Sequence, residues 1–294
     1  MQPKVYVILV NYNGFKDTVE CIESLEKIDY DNYKIVVVDN ASTVAPTNEQ
    51  EQFIKQHTIY IENKNNGGFS AGNNIGIKLA KKNHADYVLL LNNDTTVTSN
   101  FLKDMVSILE SKGKTGVLSA KIMYYWDKDK AWFEGGTFDF ATAKTSHFHT
   151  KKNDDEVEEV TFISGCLMLI PMSVLDTVGM LEESYFLYAE DTDYCCRVLK
   201  KGFKLYYAPS IVIYHKEGAT AGKNSAMKQY YIERNGLYIA KQYSTHPIKA
   251  CIARAYTSWK SVFRGRLNFK PIMNAYVDFF RGKKGEWSNK EKVK

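Results

Sequence analysis

The sequence predicts an α/β protein: a mostly parallel central sheet with helices on both faces, followed by a helical C-terminal extension. Three observations carry this reading. Apolar, β-branched runs at Val5–Val10, Ile35–Val38 and Tyr87–Leu91 stop abruptly at Asn or Asp. Helical patterns separate them at the spacing of βαβ units. The runs are apolar throughout, as parallel strands buried on both faces are, and do not alternate.

Taken in order, Val5–Val10 closes at the turn signal Asn11-Tyr12-Asn13-Gly14. Asp17 then caps a helix whose apolar positions Val19, Ile22, Leu25 and Ile28 recur every three residues. Ile35–Val38 stops at Asp39-Asn40, and a weaker strand near Ile59 precedes the loop Asn65-Asn66-Gly67-Gly68. A helix over Ala71–Lys82 leads to Tyr87–Leu91, which ends at Asn92-Asn93-Asp94. Residues 124–160 read as polar and loop-rich, and Pro171 ends the apolar segment Phe162–Ile170. Asp191–Lys201 is a short helix stopped by Gly202, with Asp193 and Arg197 spaced as an ordinary surface ion pair. Two strands, Lys204–Tyr207 and Ile211–Tyr214, flank Pro209, and the chain is helical from Ser225.

Of the 294 residues 44% are hydrophobic and 25% charged, which excludes a mainly disordered chain. The length suits one α/β unit over residues 1–240 and an extension over 241–294. The cysteines (Cys21, Cys166, Cys195, Cys196, Cys251) form no C-x-x-C. A disulfide framework or structural zinc site is therefore not expected, and a reducing compartment fits. The N-terminus shows no signal-peptide cleavage pattern, and no apolar run reaches the ~18 residues that span a bilayer. These features predict a soluble, cytoplasmic protein.

The net charge of +5 is unevenly spread. Residues 241–294 hold 13 Lys and Arg against 3 acids, a balance of +10, so the body carries −5. The basic stretch is also rich in aromatics, including Tyr256, Trp259, Phe263, Phe269 and Phe280. It suits a helical segment on an anionic membrane surface, on the inner face of the cell membrane. The alternative is a helical tail packed on the catalytic unit or in a homo-oligomer. Nucleic acid is not an expected partner, because the body has no helix-turn-helix, RRM or zinc-finger signature.

Ligands of parallel α/β sheets bind beyond the carboxyl ends of the strands. Here Asn11, Asp39-Asn40 and Asn92-Asn93-Asp94 fall on one such edge, whereas turn punctuation alone would account for any one of them. The first turn carries no G-x-G-x-x-G. Gly113-Lys114-Thr115 fails as a P-loop, since Ile108 stands where the first glycine is required.

Val5–Gly14 with Asp39-Asn40, then Asn65-x-Gly67-Gly68-Phe69-x-x-Gly72-Asn73, then Leu91-Asn92-Asn93-Asp94 form an ordered set. Phe186-x-Tyr188-x-Glu190-Asp191-x-Asp193 and His215-x-x-Gly218 follow. Together they resemble an inverting family 2 glycosyltransferase of the Rossmann-like GT-A fold, over roughly residues 4–240. The rhamnosyltransferase-like branch that builds bacterial surface polysaccharides is the most similar.

The resemblance implies a nucleoside-diphosphate-sugar donor, dTDP-rhamnose or a UDP-sugar, and a glycan or lipid-linked acceptor. It implies that Asp94 and His215 bind a divalent cation, Mg²⁺ or Mn²⁺, as a hard carboxylate and a neutral imidazole can. The family's D-x-D motif reads Asn92-Asn93-Asp94 here, one carboxylate fewer. Asp39 would accept from the base or ribose, with Val10, Asn11, Asn13, Asn40 and Asn93 lining the nucleotide pocket. Gly68 and Asn73 would lie under the diphosphate and sugar. Many relatives carry Arg where Gly72 stands, so this loop lacks a cationic clamp.

Asp191 is the candidate general base. Its place at a helix start favours the ionised carboxylate, although plain N-capping is the competing reading. Glu190 would bind acceptor or orient the site. Trp132 would stack on an acceptor sugar, or serve only as core. Two rival functions remain at this stage. A sugar-nucleotide nucleotidyltransferase would want a basic triphosphate loop after the first strand, and Asn11–Gly14 has no Lys or Arg. A non-catalytic sugar-nucleotide-binding module would keep Asp39 and lose the base or the metal acid.

Overall fold

The computed structural model describes residues 2–147, 156–216 and 225–288. Strands and helices alternate first: β1 (Val5–Asn11), α1 (Phe15–Leu25), β2 (Tyr33–Asp39), α2 (Asn48–His57), β3 (Ile59–Glu62), α3 (Gly68–Lys82) and β4 (Tyr87–Leu91). Then come β5 (Thr95–Val97), α4 (Phe101–Ser111), β6 (Gly116–Tyr124), β7 (Ala131–Phe133), β8 (Thr137–Asp139) and β9 (Lys144–Ser146). The remainder is β10 (Glu158–Val160), β11 (Leu167–Pro171), α5 (Met172–Val178), a 3₁₀ turn at Glu183–Tyr185, α6 (Glu190–Lys200), β12 (Lys204–His215) and three helices, α7 (Ala226–Tyr243), α8 (Pro247–Phe263) and α9 (Phe269–Phe280).

The main sheet runs β10-β12-β6-β11-β4-β1-β2-β3. The four strands β4, β1, β2 and β3 are mutually parallel, as are β6 and β12, while β11 lies antiparallel between the two sets. Successive side chains Val5 to Leu9 of β1 are all buried, so both faces of this strand are covered. α3 packs on β1 and β2, and α4 on β6 and β12. Two glycines bring α3 in close: a Cβ at Gly72 would stand 2.7 Å from Val10 Cγ1, and one at Gly76 2.6 Å from Ile8 Cγ2. No arginine could occupy position 72 with this packing, since its Cβ would overlap β1.

Several local expectations change. Asp17 is not the cap of α1. The Asn11–Gly14 turn provides the start, with Thr18 N donating to Gly14 O, and Asp17 sits in the first turn, where it pairs with Lys216 at 2.7 Å. α3 begins at Gly68, three residues early, because the Asn-Asn-Gly-Gly signal is itself the entry to the helix: Gly68 N donates to Asn66 Oδ1. The expected pair of strands around Pro209 is one strand, β12, whose register with β6 slips between Ala208 and Val212. The proline falls in that irregularity, where its missing N–H costs no ladder bond. The loop-rich stretch contains the short strands β7 to β10, pinned by the buried rings of Phe133 and Phe138. Asp193 is buried and not a surface partner. It accepts from Arg197 Nε at 2.7 Å and Tyr243 Oη at 2.6 Å, with Tyr185 Oη at 3.4 Å.

α7 runs through residue 240 and packs on α6, α8 and α9. Within the extension, Ile272 and Tyr276 of α9 pack on Leu237 of α7, with Trp259 of α8 against the same cluster. All five cysteines are free. Among the described residues no helix is long and apolar enough to cross a membrane.

Candidate active site

The carboxyl ends of β1, β2 and β4 meet in a polar network centred on Asn11, which is fully buried. Asn11 Nδ2 donates to Asp39 Oδ1 at 2.7 Å, and Asn11 Oδ1 accepts from Gly14 N, Thr18 Oγ1 and Asn93 Nδ2 at 3.1, 3.0 and 3.3 Å. Asp39 also accepts from the hydroxyl and N–H of Ser42. Asn13, at φ 60°, accepts from the Thr43 and Val44 N–H groups. Asn40 donates to Asn66 Oδ1 and Gly68 O, both at 2.9 Å, and Asn73 donates back to Phe69 O within α3. The structure thus brings Asn11, Asn13, Asp39, Asn40, Asn93 and the end of Val10 together at one edge. Asn11, Asn40 and Asn73 spend their amides on the protein itself, which satisfies their buried groups: Asn11 ties strand ends together, Asn40 ties the end of β2 to the entry of α3, and Asn73 bonds within α3. Thr18 and Ser42 join this network without any motif that marks them, and Asn66 joins it from the Asn-Asn-Gly-Gly signal.

Gly68 is the junction to the second half of the site. It sits at φ +85°, and a Cβ there would lie 2.0 Å from Phe186 O, while Phe69 N donates to that same carbonyl at 2.8 Å. Only glycine fits both the dihedral and the approach.

Asp94 follows β4, and His215 ends β12 opposite Thr95. Asp94 Oδ1 and His215 Nε2 are 3.1 Å apart, both largely buried, with Asn92 Nδ2 3.4 Å from the same ring nitrogen. That separation is about the edge of an octahedron with ~2.1 Å bonds, so the two side chains fit adjacent positions on one Mg²⁺-sized ion. Among the described residues no group of three or more His, Cys, Asp or Glu surrounds such a point. The two would leave the remaining positions to phosphate oxygens and water. Burial opposes the charged imidazole, yet Cys166 and Asp94 beside it outweigh burial and raise the His215 pKa well above the ordinary value, so a cation bound here would have to displace that proton. Trp132 lies edge-on to His215 and to His147, with centroids 4.7 and 4.9 Å away, so its ring is spent on buttressing these imidazoles. Gly218 of the His-x-x-Gly pattern lies outside the described residues.

Glu190 and Asp191 open α6. Asp191 Oδ2 accepts from Gly165 N at 3.2 Å, and Oδ1 from Thr192 N at 2.7 Å. The helix start alone suggested a readily ionised acid. Burial is the larger effect and raises the Asp191 pKa, against the lowering by the Gly165 and Thr192 N–H groups and by His147. Glu190 is 7% exposed, and its Oε2 has no hydrogen-bond partner among the described residues. Burial, with Asp191 next to it, pushes the Glu190 pKa up to about 8. One turn connects this pair to the metal-type pair: Gly165 N reaches Asp191, and Cys166 O accepts from Asn92 N at 3.0 Å.

The segment leading into α6 is backbone-strained. Phe186, Tyr188 and Ala189 all have positive φ, at 65°, 65° and 74°. Asn235 on α7 holds it: Nδ2 lies 3.0, 2.9 and 2.8 Å from the carbonyls of Tyr185, Leu187 and Tyr188. Arg234, also buried, donates to Asn235 Oδ1 at 2.9 Å and to Tyr185 O at 3.2 Å. Sequence reasoning passed over both residues. The available signal was two strongly polar side chains amid Tyr230, Tyr231, Leu237 and Tyr238.

A sheet edge lined by Asn and Asp is thus bridged by one turn to a carboxylate pair at a helix start, on the GT-A fold expected from the sequence. Residues 6–179 match the family description Glycosyl transferase family 2, and the chain belongs to that family. It is similar to the dTDP-rhamnosyl transferase RfbF of Shigella flexneri, 23% identical over 257 residues that cover 82% of this chain and 81% of the relative. It is also similar to the rhamnosyltransferase WbbL of Escherichia coli strain K12, 26% identical over 229 residues, 72% of this chain and 83% of that one. Among solved structures, GalNAc-T7 with UDP, GalNAc and Mn²⁺ superposes with a TM-score of 0.70 at 15% identity, over 95% of this chain and 56% of that chain, a likeness of fold.

Proposed function

We propose that this glycosyltransferase moves a sugar from a nucleoside-diphosphate donor to a hydroxyl of a glycan or lipid-linked acceptor, with inversion, in cell-surface polysaccharide synthesis. The names of the relatives support dTDP-rhamnose as donor, and a UDP-sugar is the other candidate. The catalytic unit comprises residues 1–240, with the helices beyond as an extension.

Asp39, oriented by Asn11 and Ser42, accepts from the base or ribose. Val10, Asn13 and Asn93 line the nucleotide side, and Gly68 begins the helix whose N-terminus lies under the diphosphate. Asp94 and His215 would hold a divalent cation, Mg²⁺ or Mn²⁺, which when bound supplies charge compensation for the departing diphosphate. Asp191 takes the proton of the acceptor hydroxyl as that oxygen attacks the anomeric carbon. Glu190, buried and protonated at neutral pH, keeps a second negative charge away from the base and would bind the acceptor or orient the site.

The observation that supports this most strongly is the placement of Asp191. It is a half-buried carboxylate with a raised pKa, fixed by Gly165 N–H on the turn that also holds Asn92 beside Asp94. The test is Asp191→Asn with a radiolabelled donor. Sugar transfer is expected to fall by roughly 10²–10⁴, with donor binding by thermal shift nearly intact. Transfer near the wild-type rate would remove Asp191 from the mechanism.

A further inference from the structure

The two helices after α7 each carry an apolar stripe that stays exposed among the described residues. On α8, Ile248, Ile252, Tyr256 and Phe263 are 77%, 63%, 67% and 87% exposed. At 100° per residue their spacing confines them to an arc of about 80°. On α9, Phe269, Met273, Val277 and Phe280 repeat the pattern within a similar arc, with the two phenylalanines 59% and 79% exposed. The opposite faces are already used, since Ile272, Ala275 and Tyr276 of α9 and Ala250 and Ser258 of α8 are buried. The stripes adjoin at the α8–α9 connection, where the Trp259 and Phe269 rings are 5.7 Å apart.

Charge selects the occupant. Lys249, Lys260, Arg264, Arg266 and Arg281 flank the stripes, all exposed. Among the described residues from 244 onward the acids are Asp278 and Glu286. Asp278 is buried, accepting from Tyr230 Oη at 2.7 Å. A second copy docked on this face through a twofold axis would set the patch against itself and bring these five cations of each copy together, against a single exposed acid, Glu286. An anionic bilayer offers the complementary charge and a place for the rings at the headgroup boundary.

We propose that the outer faces of α8 and α9 form one docking surface for an anionic lipid bilayer, on which the enzyme rests without crossing it. The stripes insert at the interface, and the flanking cations meet the headgroups.

The test is co-sedimentation of the full chain with vesicles of phosphatidylglycerol and phosphatidylcholine (1:1), against pure phosphatidylcholine, at low and high salt. Binding to the anionic vesicles is expected to exceed binding to neutral ones at least tenfold and to weaken with salt. The combined variant Ile252→Ser, Tyr256→Ser, Phe263→Ser should lose at least tenfold in binding, as should Lys260→Glu with Arg264→Glu. Both should keep the wild-type circular dichroism and donor hydrolysis. Absence of binding, equal binding to both vesicles, or variants that bind like wild type would overturn the proposal. So would light scattering that shows a wild-type dimer dissociated by the serine variant, which would make the face a contact between copies.

Discussion

Asn235→Ala tests whether the strained entry to α6 is held in place for catalysis. The two N–H groups of the Asn235 amide are shared among the carbonyls of Tyr185, Leu187 and Tyr188 at 2.8–3.0 Å, and its Oδ1 accepts from Arg234 Nε at 2.9 Å, so its removal forfeits about three hydrogen bonds. At about 1 kcal/mol net apiece this is ~3 kcal/mol. The segment it restrains holds Phe186, Tyr188 and Ala189 at positive φ, at ~1–2 kcal/mol each, or ~3–6 kcal/mol together. The restraint and the strain are therefore comparable, and without the amide the segment relaxes. Ala189 is the N-cap of α6, so the relaxation carries Glu190 and Asp191 with it. A displacement near 1 Å costs on the order of 10²-fold in rate. Steady-state transfer by Asn235→Ala should show kcat lowered about 10²-fold, with the donor Kd changed less than threefold because Asp39 and Asn11 are untouched. A variant that loses ~3 kcal/mol of folding stability but keeps its kcat would show that the clamp serves the fold alone.

Three further outcomes are expected. Gly68→Ala places a Cβ 2.0 Å from the Phe186 carbonyl oxygen at φ +85°, against backbone that cannot rotate away, and should cost about 2–4 kcal/mol in urea unfolding; an unchanged midpoint would contradict the packing. Glu190 holds its proton in the folded chain up to about pH 8, against 4.5 for an ordinary glutamate, so its contribution to stability is full below about 4.5 and is lost as pH rises through 8. Glu190→Gln should flatten that decline in thermal unfolding between pH 5 and pH 8.5, and an identical slope would rule it out. Asp94→Ala should abolish the Mn²⁺-dependent part of the thermal shift produced by donor, with His215→Ala weaker, whereas a wild-type shift unaffected by EDTA would remove the cation from both residues.

The strand edge was legible because a fully buried strand must stop where the first polar residues appear, and Asn11, Asp39 and Asn92–Asp94 all mark such stops. Their pairing was not. Whether an asparagine faces a ligand or a neighbouring strand end depends on register, and here Asn11 turns to Asp39 and Asn93. The Asp193–Arg197 spacing is identical on a surface and in a core, so only the packing of Tyr185 and Tyr243 reveals the buried network. Asn235 was illegible for a different reason. Its targets are main-chain carbonyls 47 to 50 residues earlier, and carbonyls have no letter in the sequence.

The same reasoning explains how the two halves of the site stay in register. The proposed inversion needs the base and the departing diphosphate on opposite sides of one carbon, so the spacing between Asp191 and the Asp94–His215 pair must be held within a fraction of an ångström. Backbone does this at two points. The 165–166 turn donates to Asp191 with one residue and accepts from Asn92 with the next, and Phe69 N, at the start of α3, donates to Phe186 O on the strained segment. Backbone hydrogen bonds therefore tie the start of α3 and the end of β4 to the segment that carries the proposed base. Gly165 and Gly68 sit at these two junctions, with a Cβ at Gly165 3.3 Å from Asp191 Cβ and one at Gly68 in collision with Phe186. Substitution at either glycine should misplace the base relative to the donor while leaving every side chain of the proposed chemistry intact.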